Sequence, residues 1–422
     1  MRAASLAFAA LLAAHASAAA PREVVAELAD TVEAHFYDEA KAREIAAGLR
    51  TEAEKGSYDT LTAPKDLAPA LTAYLKPYDT HFNVEWVGDG APEAEPPAGD
   101  PSVPKLPIPE ALARNNHGFR KIEILPGNIA VIEMRSFDLT RAPGDPARIA
   151  ADGALAAVSG AAAVIFDLRQ SMGGAPDMVG YLASAFFAPG RDGIYNVFTS
   201  RSETRTEKPE TPYANPRPDV PLYAVISGRT SSAAESFPYT LQAAGRATIV
   251  GEASSGAGNP GSVFPMKSGY TVFISLGRTE NPITKSSWEK TGVIPDIEAP
   301  NSQALTAAYR EALKTVSANA ASPTDKVEAA WALEQLDAPT LAVETDDYVG
   351  SYQNTAIAMV SGALVYRRDR RPEALLVPLA PDVFGFADLP NRRIRFTRDA
   401  SGAVTHLEEY STIGDVLRLP RS

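Results

Sequence analysis

The sequence predicts an α/β core, preceded by a helical unit and followed by a small all-β domain. Three observations predict this. Apolar residues recur at helical spacing near the start, at Val24, Val25, Leu28, Val32 and Phe36. Buried apolar runs then alternate with amphipathic stretches between Lys121 and Gly251. From Tyr348 to Leu419 short alternating segments are separated by turn residues.

Met1-Arg2, the apolar run Ala3 to Ala14 and Ala16-Ser17-Ala18 have the order of a secretory signal, assigning residues 1–18 to a cleavable leader. That apolar run is too short to span a bilayer comfortably, and no later one reaches transmembrane length. The expectation is an exported protein, periplasmic or secreted, with no transmembrane span. Residues 19–87 read as the helical unit: one pattern runs from Pro21 to Gly56, and a second, with Leu67, Leu71 and Leu75, lies between Pro64 and Pro77. Residues 88–110 are rich in Pro, Gly, Ala, Glu and Asp and read as a linker.

Residues 111–300 read as the core. Strands are expected at Lys121–Leu125 and Ile129–Phe137 around Pro126-Gly127-Asn128. A helix over Pro146–Val158, a buried strand at Ala163–Leu168 and a helix over Pro176–Phe187 follow. A strand at 221–226, a helix over 232–244 and the strand Thr248–Gly251 repeat the motif. Residues 301–340 read as a helical connector, with helices to Val316 and from Thr324 to Leu336. Residues 341–422 read as the β domain, a barrel or sandwich.

The chain has 40 basic and 52 acidic residues, a formal charge of −12, and no lysine- or arginine-rich run, which argues against nucleic acid as a partner. With no cysteine, disulfides, thiol catalysis and cysteine–metal sites are excluded. No His-Glu-x-x-His spacing occurs, and no metal or organic cofactor is expected.

Thr230-Ser-Ser-Ala-Ala-Glu-Ser-Phe237 sits where a strand turns into a helix. Ser232 there lies beside the unpaired N–H groups of a helix start, a setting that suits an oxyanion. Ser232-x-x-Glu235 is equally a capping box, and on these eight residues alone the cap is the better reading. Five segments in order change the balance: Asp79-Thr80-His81, Phe166-Asp-Leu-Arg-Gln-Ser-Met-Gly-Gly174, Thr230–Glu235, Val250-Gly-Glu252 and Ser287-Trp-Glu-Lys-Thr-Gly-Val-Ile-Pro-Asp296. Together they resemble the C-terminal processing peptidase superfamily, which includes the tricorn core protease and the interphotoreceptor retinoid-binding protein.

The resemblance implies a ClpP/crotonase-like catalytic core and a serine peptidase acting on proteins or peptides through an acyl-enzyme. One design in the family places a lysine after Gly-Glu. Here Gly251-Glu252 is followed by Ala253-Ser-Ser-Gly-Ala-Gly258, and the next lysine is Lys267, so the resemblance points to the tricorn-like design. It implies Ser232 as nucleophile, His81 as base, Glu289 in support and Thr80 as a second hydroxyl. Glu289, directly or through Thr80, would fix the imidazole tautomer. The oxyanion hole would use N–H groups of Ala233 and of the Gly173-Gly174 turn. Ser171, Met172, Thr80 and Lys290 depart from the family pattern, and Met172 is expected to narrow the turn or the cleft. The interval from Gly88 to Asn116 is too short for the PDZ domain found in many members. The alternative is a non-catalytic ligand- or peptide-binding protein on the same fold. The oligomeric state is left open.

Overall fold

The computed structural model describes residues 19–88, 108–140, 142–191, 193–338 and 346–422. The expected leader, 1–18, and most of the expected linker lie outside them. The chain divides into two compact units and passes between them repeatedly. Of the described residues, one unit contains 19–88, Val197–Arg205 and Ala257–Glu280, and the other contains those of 108–196, Thr206–Gly256 and those of 281–422.

In the first unit the Pro21–Gly56 pattern is two helices, Pro21–His35 and Glu39–Glu54. The break falls at Phe36–Asp38, where the Asp38 side chain caps the second helix by accepting from the Lys41 N–H. A third helix, Pro64–Leu75, starts on a proline, where no helical N–H is lost. Val24, Leu28, Val32, Ile45, Leu49, Leu71 and Leu75 from these helices share one core with Val84, Tyr270, Val272 and Ile274. The last four belong to a three-stranded antiparallel sheet in the order Asn83–Trp86, Tyr270–Ser275, Gly261–Pro265. Residues 257–280, read from the sequence as part of the 111–300 core, thus join the N-terminal helices. The reason is burial: alternate residues of Tyr270–Ser275 complete the helical core, and nothing local announces that partner.

The second unit is built on a six-stranded sheet ordered Ile297–Glu298, Thr248–Gly251, Leu222–Ile226, Ala163–Asp167, Ile129–Met134, Phe119–Leu125. The last two strands are antiparallel, joined through Gly127 and Asn128 at positive φ, and all other pairs are parallel. Side-chain alternation explains the continuous apolar runs. Val164, Phe166, Ala224 and Ile226 face one core with Leu182, Phe237 and Leu241. Ala163, Ile165, Tyr223 and Val225 face another with Ala308, Ala312, Leu313 and Ala329. Helices therefore cover both faces, as parallel strands require.

A helix Ile108–Arg114 begins inside the stretch read as linker. Beyond the helices Ala304–Asn319 and Pro323–Leu336, eight antiparallel strands from Gly350 to Pro420 follow in chain order. The sheet closes on itself, with Tyr352 bridging Arg421 and the Ser422 N–H donating to Ser351 O. This barrel-like sheet encloses Tyr352, Tyr366, Phe384, Phe386, Phe396 and Leu407. Closure leaves no open edge strand. Among the described residues no helix is long and apolar enough to cross a membrane.

Candidate active site

Parallel α/β sheets bind ligands beyond the carboxyl ends of their strands. In the second unit four loops leave adjacent strands at that end: 135–138, 168–174, 227–232 and 252–256. They are laced together. Thr230 Oγ1 donates to Leu168 O and accepts from the Ser227 N–H, and Ser227 Oγ donates to Arg169 O. Ser231 N–H donates to Ser171 O, and Ser255 N–H to Thr230 O.

Ser232 stands at the top of this assembly, before the helix Ala233–Ala243, with φ 56° and ψ −125°. A side chain at positive φ with such a ψ is strained by about 1–3 kcal/mol and persists only where its surroundings impose it. Part of that surrounding is Gly173, at φ 89°, packed directly on the turn. A Cβ there would lie 2.6 Å from Ser231 O and 2.8 Å from the Ala233 nitrogen. Gly174, at φ 137°, bridges Phe137: Phe137 N–H donates to Gly173 O and Ala175 N–H to Phe137 O. Within the described residues no backbone acceptor takes the N–H groups of Gly173, Gly174 or Ala233. Of these, the Ala233 N–H belongs to the Ser232 turn itself and Gly173 packs against it.

Glu235, which the sequence places only in a capping box, does more. Its carboxylate is fully buried and accepts from the Ser232 N–H at 2.7 Å, Ser254 Oγ at 2.6 Å, Ser255 Oγ at 3.2 Å and the Gly256 N–H at 2.7 Å. Ser254 Oγ in turn accepts from the Val293 N–H, and the Lys290 N–H donates to Gly256 O. One carboxylate therefore ties the Ser232 turn to the loop holding Glu289. Glu289 itself is half-buried beside Trp288, whose ring packs in the core.

Met172 is 78% exposed, so its side chain projects to solvent rather than into the Gly173-Gly174 turn. Ser171 Oγ is buried without a hydrogen-bond partner. Arg169 is held by Asp167 through two contacts, at 2.8 and 2.7 Å, and donates to Asn301 O. It is a brace between loops.

In the first unit His81 follows the helix Pro64–Leu75. Its Nδ1 lies 2.9 Å from Asp79 Oδ1, and the same oxygen accepts the His81 N–H at 2.8 Å. Asp79 is buried, which by itself opposes its charged form. The hydrogen bonds from the His81 ring and backbone outweigh that and hold its pKa below the usual carboxylate range. An ionised Asp79 makes Nδ1 the donor and leaves Nε2 as the basic nitrogen. Asp79 is thus a carboxylate at Nδ1 of the imidazole whose tautomer Glu289, directly or through Thr80, was expected to fix. Thr80 is exposed, and its carbonyl accepts from Lys76 Nζ. Another aspartate–histidine pair, His117 Nδ1 and Asp138 Oδ2 at 2.7 Å, stands in the second unit next to the Phe137–Gly174 bridge. Its two residues lie 21 positions apart, so the local pattern at His117 shows only a turn.

Residues 128–299 match peptidase family S41. A carboxyl-terminal-processing protease of Synechocystis sp. is 29% identical over 143 residues, 33% of this chain and 32% of that protein. The chloroplastic carboxyl-terminal-processing peptidase 1 of Arabidopsis thaliana is 28% identical over 123 residues, 29% of this chain and 24% of that protein. The chain therefore spans about a third or less of the length of these relatives. Among solved structures, a photosystem II D1 C-terminal processing protease superposes with a TM-score of 0.33 at 22% identity, covering 40% of this chain and 42% of that one. The family match includes Ser232, Gly173, Gly174 and Glu289, and ends short of His81 and Asp79.

Proposed function

Residues 128–299 are a peptidase family S41 domain, homologous to carboxyl-terminal-processing proteases, and from that premise we propose that the chain is a serine peptidase that cuts proteins or peptides through an acyl-enzyme. The observation that carries the reading is the conformation of Ser232. A residue that only caps a helix sits in the extended region and costs nothing. Ser232 is strained at positive φ, with Gly173 pressed against it and the Ala233 N–H beside it taken by no backbone acceptor. Strain of that kind serves a nucleophile.

In the mechanism Ser232 Oγ attacks the scissile carbonyl carbon while His81 Nε2 takes its proton. The tetrahedral oxyanion accepts N–H groups of Ala233 and of the Gly173-Gly174 turn. His81 returns the proton to the leaving amine as the C–N bond breaks, and water then hydrolyses the acyl-enzyme by the same route. Asp79 holds the imidazole in the tautomer this needs. Glu289 and Thr80 keep supporting roles, Glu289 as negative charge for the imidazolium. The composition of residues 1–18 supports an exported enzyme, periplasmic or secreted.

The test is digestion of casein and of a mixed peptide library by wild type and Ser232→Ala. Cleavage by wild type that falls at least ~10³-fold in the variant is expected. Equal cleavage by both would remove Ser232 from the mechanism.

A further inference from the structure

The three-stranded sheet of the first unit has two unlike faces. One, with Val84, Tyr270, Val272 and Ile274, is sealed against the helices. The other borders an open concavity of about 260 Å3 lined by His81, Asn83, Glu85, Val263, Thr271 and Phe273. Register puts these residues in two rows. Asn83, Phe273 and Val263 are cross-strand neighbours, and so are Glu85 and Thr271. The His81 ring meets the first row, its centroid 6.2 Å from that of Phe273. The second row lies roughly 7 Å farther along the strand.

The lining is therefore graded. Next to the imidazole it is apolar, with the Phe273 ring and Val263, which is 53% exposed. One row on it ends in a carboxylate, which the Asn83 amide steadies by donating to Glu85 Oε1 at 2.6 Å. No lysine or arginine lines the concavity, and none bonds Glu85 among the described residues. An apolar floor leading to an unneutralised carboxylate about two residues away is complementary to one kind of side chain: an aliphatic stem ending in a cation.

We propose that this concavity is a substrate subsite that takes a lysine or arginine side chain of the peptide, with Glu85 as its specificity-determining residue. The inference rests on the peptidase reading for its biological sense, because the subsite begins at the base His81. The stem lies over Phe273 and Val263, and the ammonium or guanidinium reaches Glu85. Thr271, buried beside Glu85 in the second row, closes the floor. Glu85 is exposed, so replacing it leaves the helical core in place.

The experiment uses the full chain and pairs of peptides identical except for lysine or norleucine at one position, scanned across the cleaved bond. Wild type is expected to favour the lysine peptide in kcat/KM by on the order of fivefold, mostly through KM, the scale of a solvent-exposed ion pair. Salt at high concentration should shrink that preference. Glu85→Gln should equalise the two peptides, and Glu85→Lys should shift preference to a glutamate peptide. The same pairs, fluorescently labelled, are titrated by anisotropy against the Ser232→Ala protein with and without Glu85→Gln, which measures the subsite without turnover. Lysine and norleucine peptides that bind alike, or a lysine preference that survives Glu85→Gln, would overturn the subsite. Tighter lysine binding that depends on Glu85, in a protein that cleaves nothing, would uphold it while overturning the peptidase reading.

Discussion

Asp79 is the residue whose role depends most on its surroundings. It is buried, its bonds to the His81 ring and backbone hold its pKa below the usual carboxylate range, and it lies against His81 Nδ1. Asp79→Asn preserves shape and hydrogen-bonding capacity but favours the wrong tautomer. We predict a fall in kcat of about 10²–10⁴-fold with little change in KM, read by steady-state kinetics. A variant as active as wild type would return the orienting role to another group. Ser232, the Gly173-Gly174 pair and His81 stood out in the sequence because each belongs to a short local segment. Asp79 was visible as a letter of such a segment, without its function. Glu235 was legible only as a cap, because Ser254, Ser255 and Gly256, which donate to it, lie far along the chain. Glu235→Ala leaves those donors and the Ser232 N–H without an acceptor and should cost about 3 kcal/mol or more, measured by urea unfolding. A loss under 1 kcal/mol would mean that water replaces the carboxylate.

At the scale of elements, the Ser232 turn is held by the 168–174 loop lying on it, and the contact is backbone against backbone. Gly173→Ala tests this directly. Its Cβ would meet the Ser231 carbonyl and the Ala233 nitrogen at under 3 Å, and neither can swing aside as a side chain could. The turn must shift, so peptide cleavage should drop roughly 10²-fold while the central sheet stays folded by circular dichroism. Full activity would show that the turn tolerates displacement. The alternating strands and helices of the second unit were legible because burial on both faces writes continuous apolar runs, as at Ala163–Asp167. Gly261–Pro265 was not, since its residues are mostly exposed and carry no alternating signal. Val383–Phe386 and Val416–Pro420 were too short or too exposed to stand out from turns, yet both are staves of the closed C-terminal sheet.

At the scale of the molecule, the chain builds two units by crossing between them, and sequence boundaries at 111 and 300 did not anticipate this. Period and composition report how a segment folds locally. They do not report that Tyr270–Ser275 completes a core begun near residue 24. The first unit should carry an acid sensitivity of its own. Because the folded-state pKa of Asp79 is depressed, its stabilisation is fully present above the unfolded carboxylate value near 3.8 and is lost as pH falls through the lower folded value. Urea midpoints of wild type and Asp79→Asn should therefore converge as pH drops below about 4. A gap that stays constant would mean that Asp79 is neutral in the folded protein.

The central claim is that Ser232 is a nucleophile activated by His81. Its most direct test is fluorophosphonate labelling followed by intact-mass and peptide mass spectrometry on wild type, Ser232→Ala and His81→Ala. The account predicts a single adduct on Ser232 in wild type, none in Ser232→Ala, and labelling slowed by about 10²-fold or more in His81→Ala. A folded wild type that takes no adduct would contradict it and favour a binding protein on this fold, and an adduct that survives Ser232→Ala would assign the reactivity elsewhere.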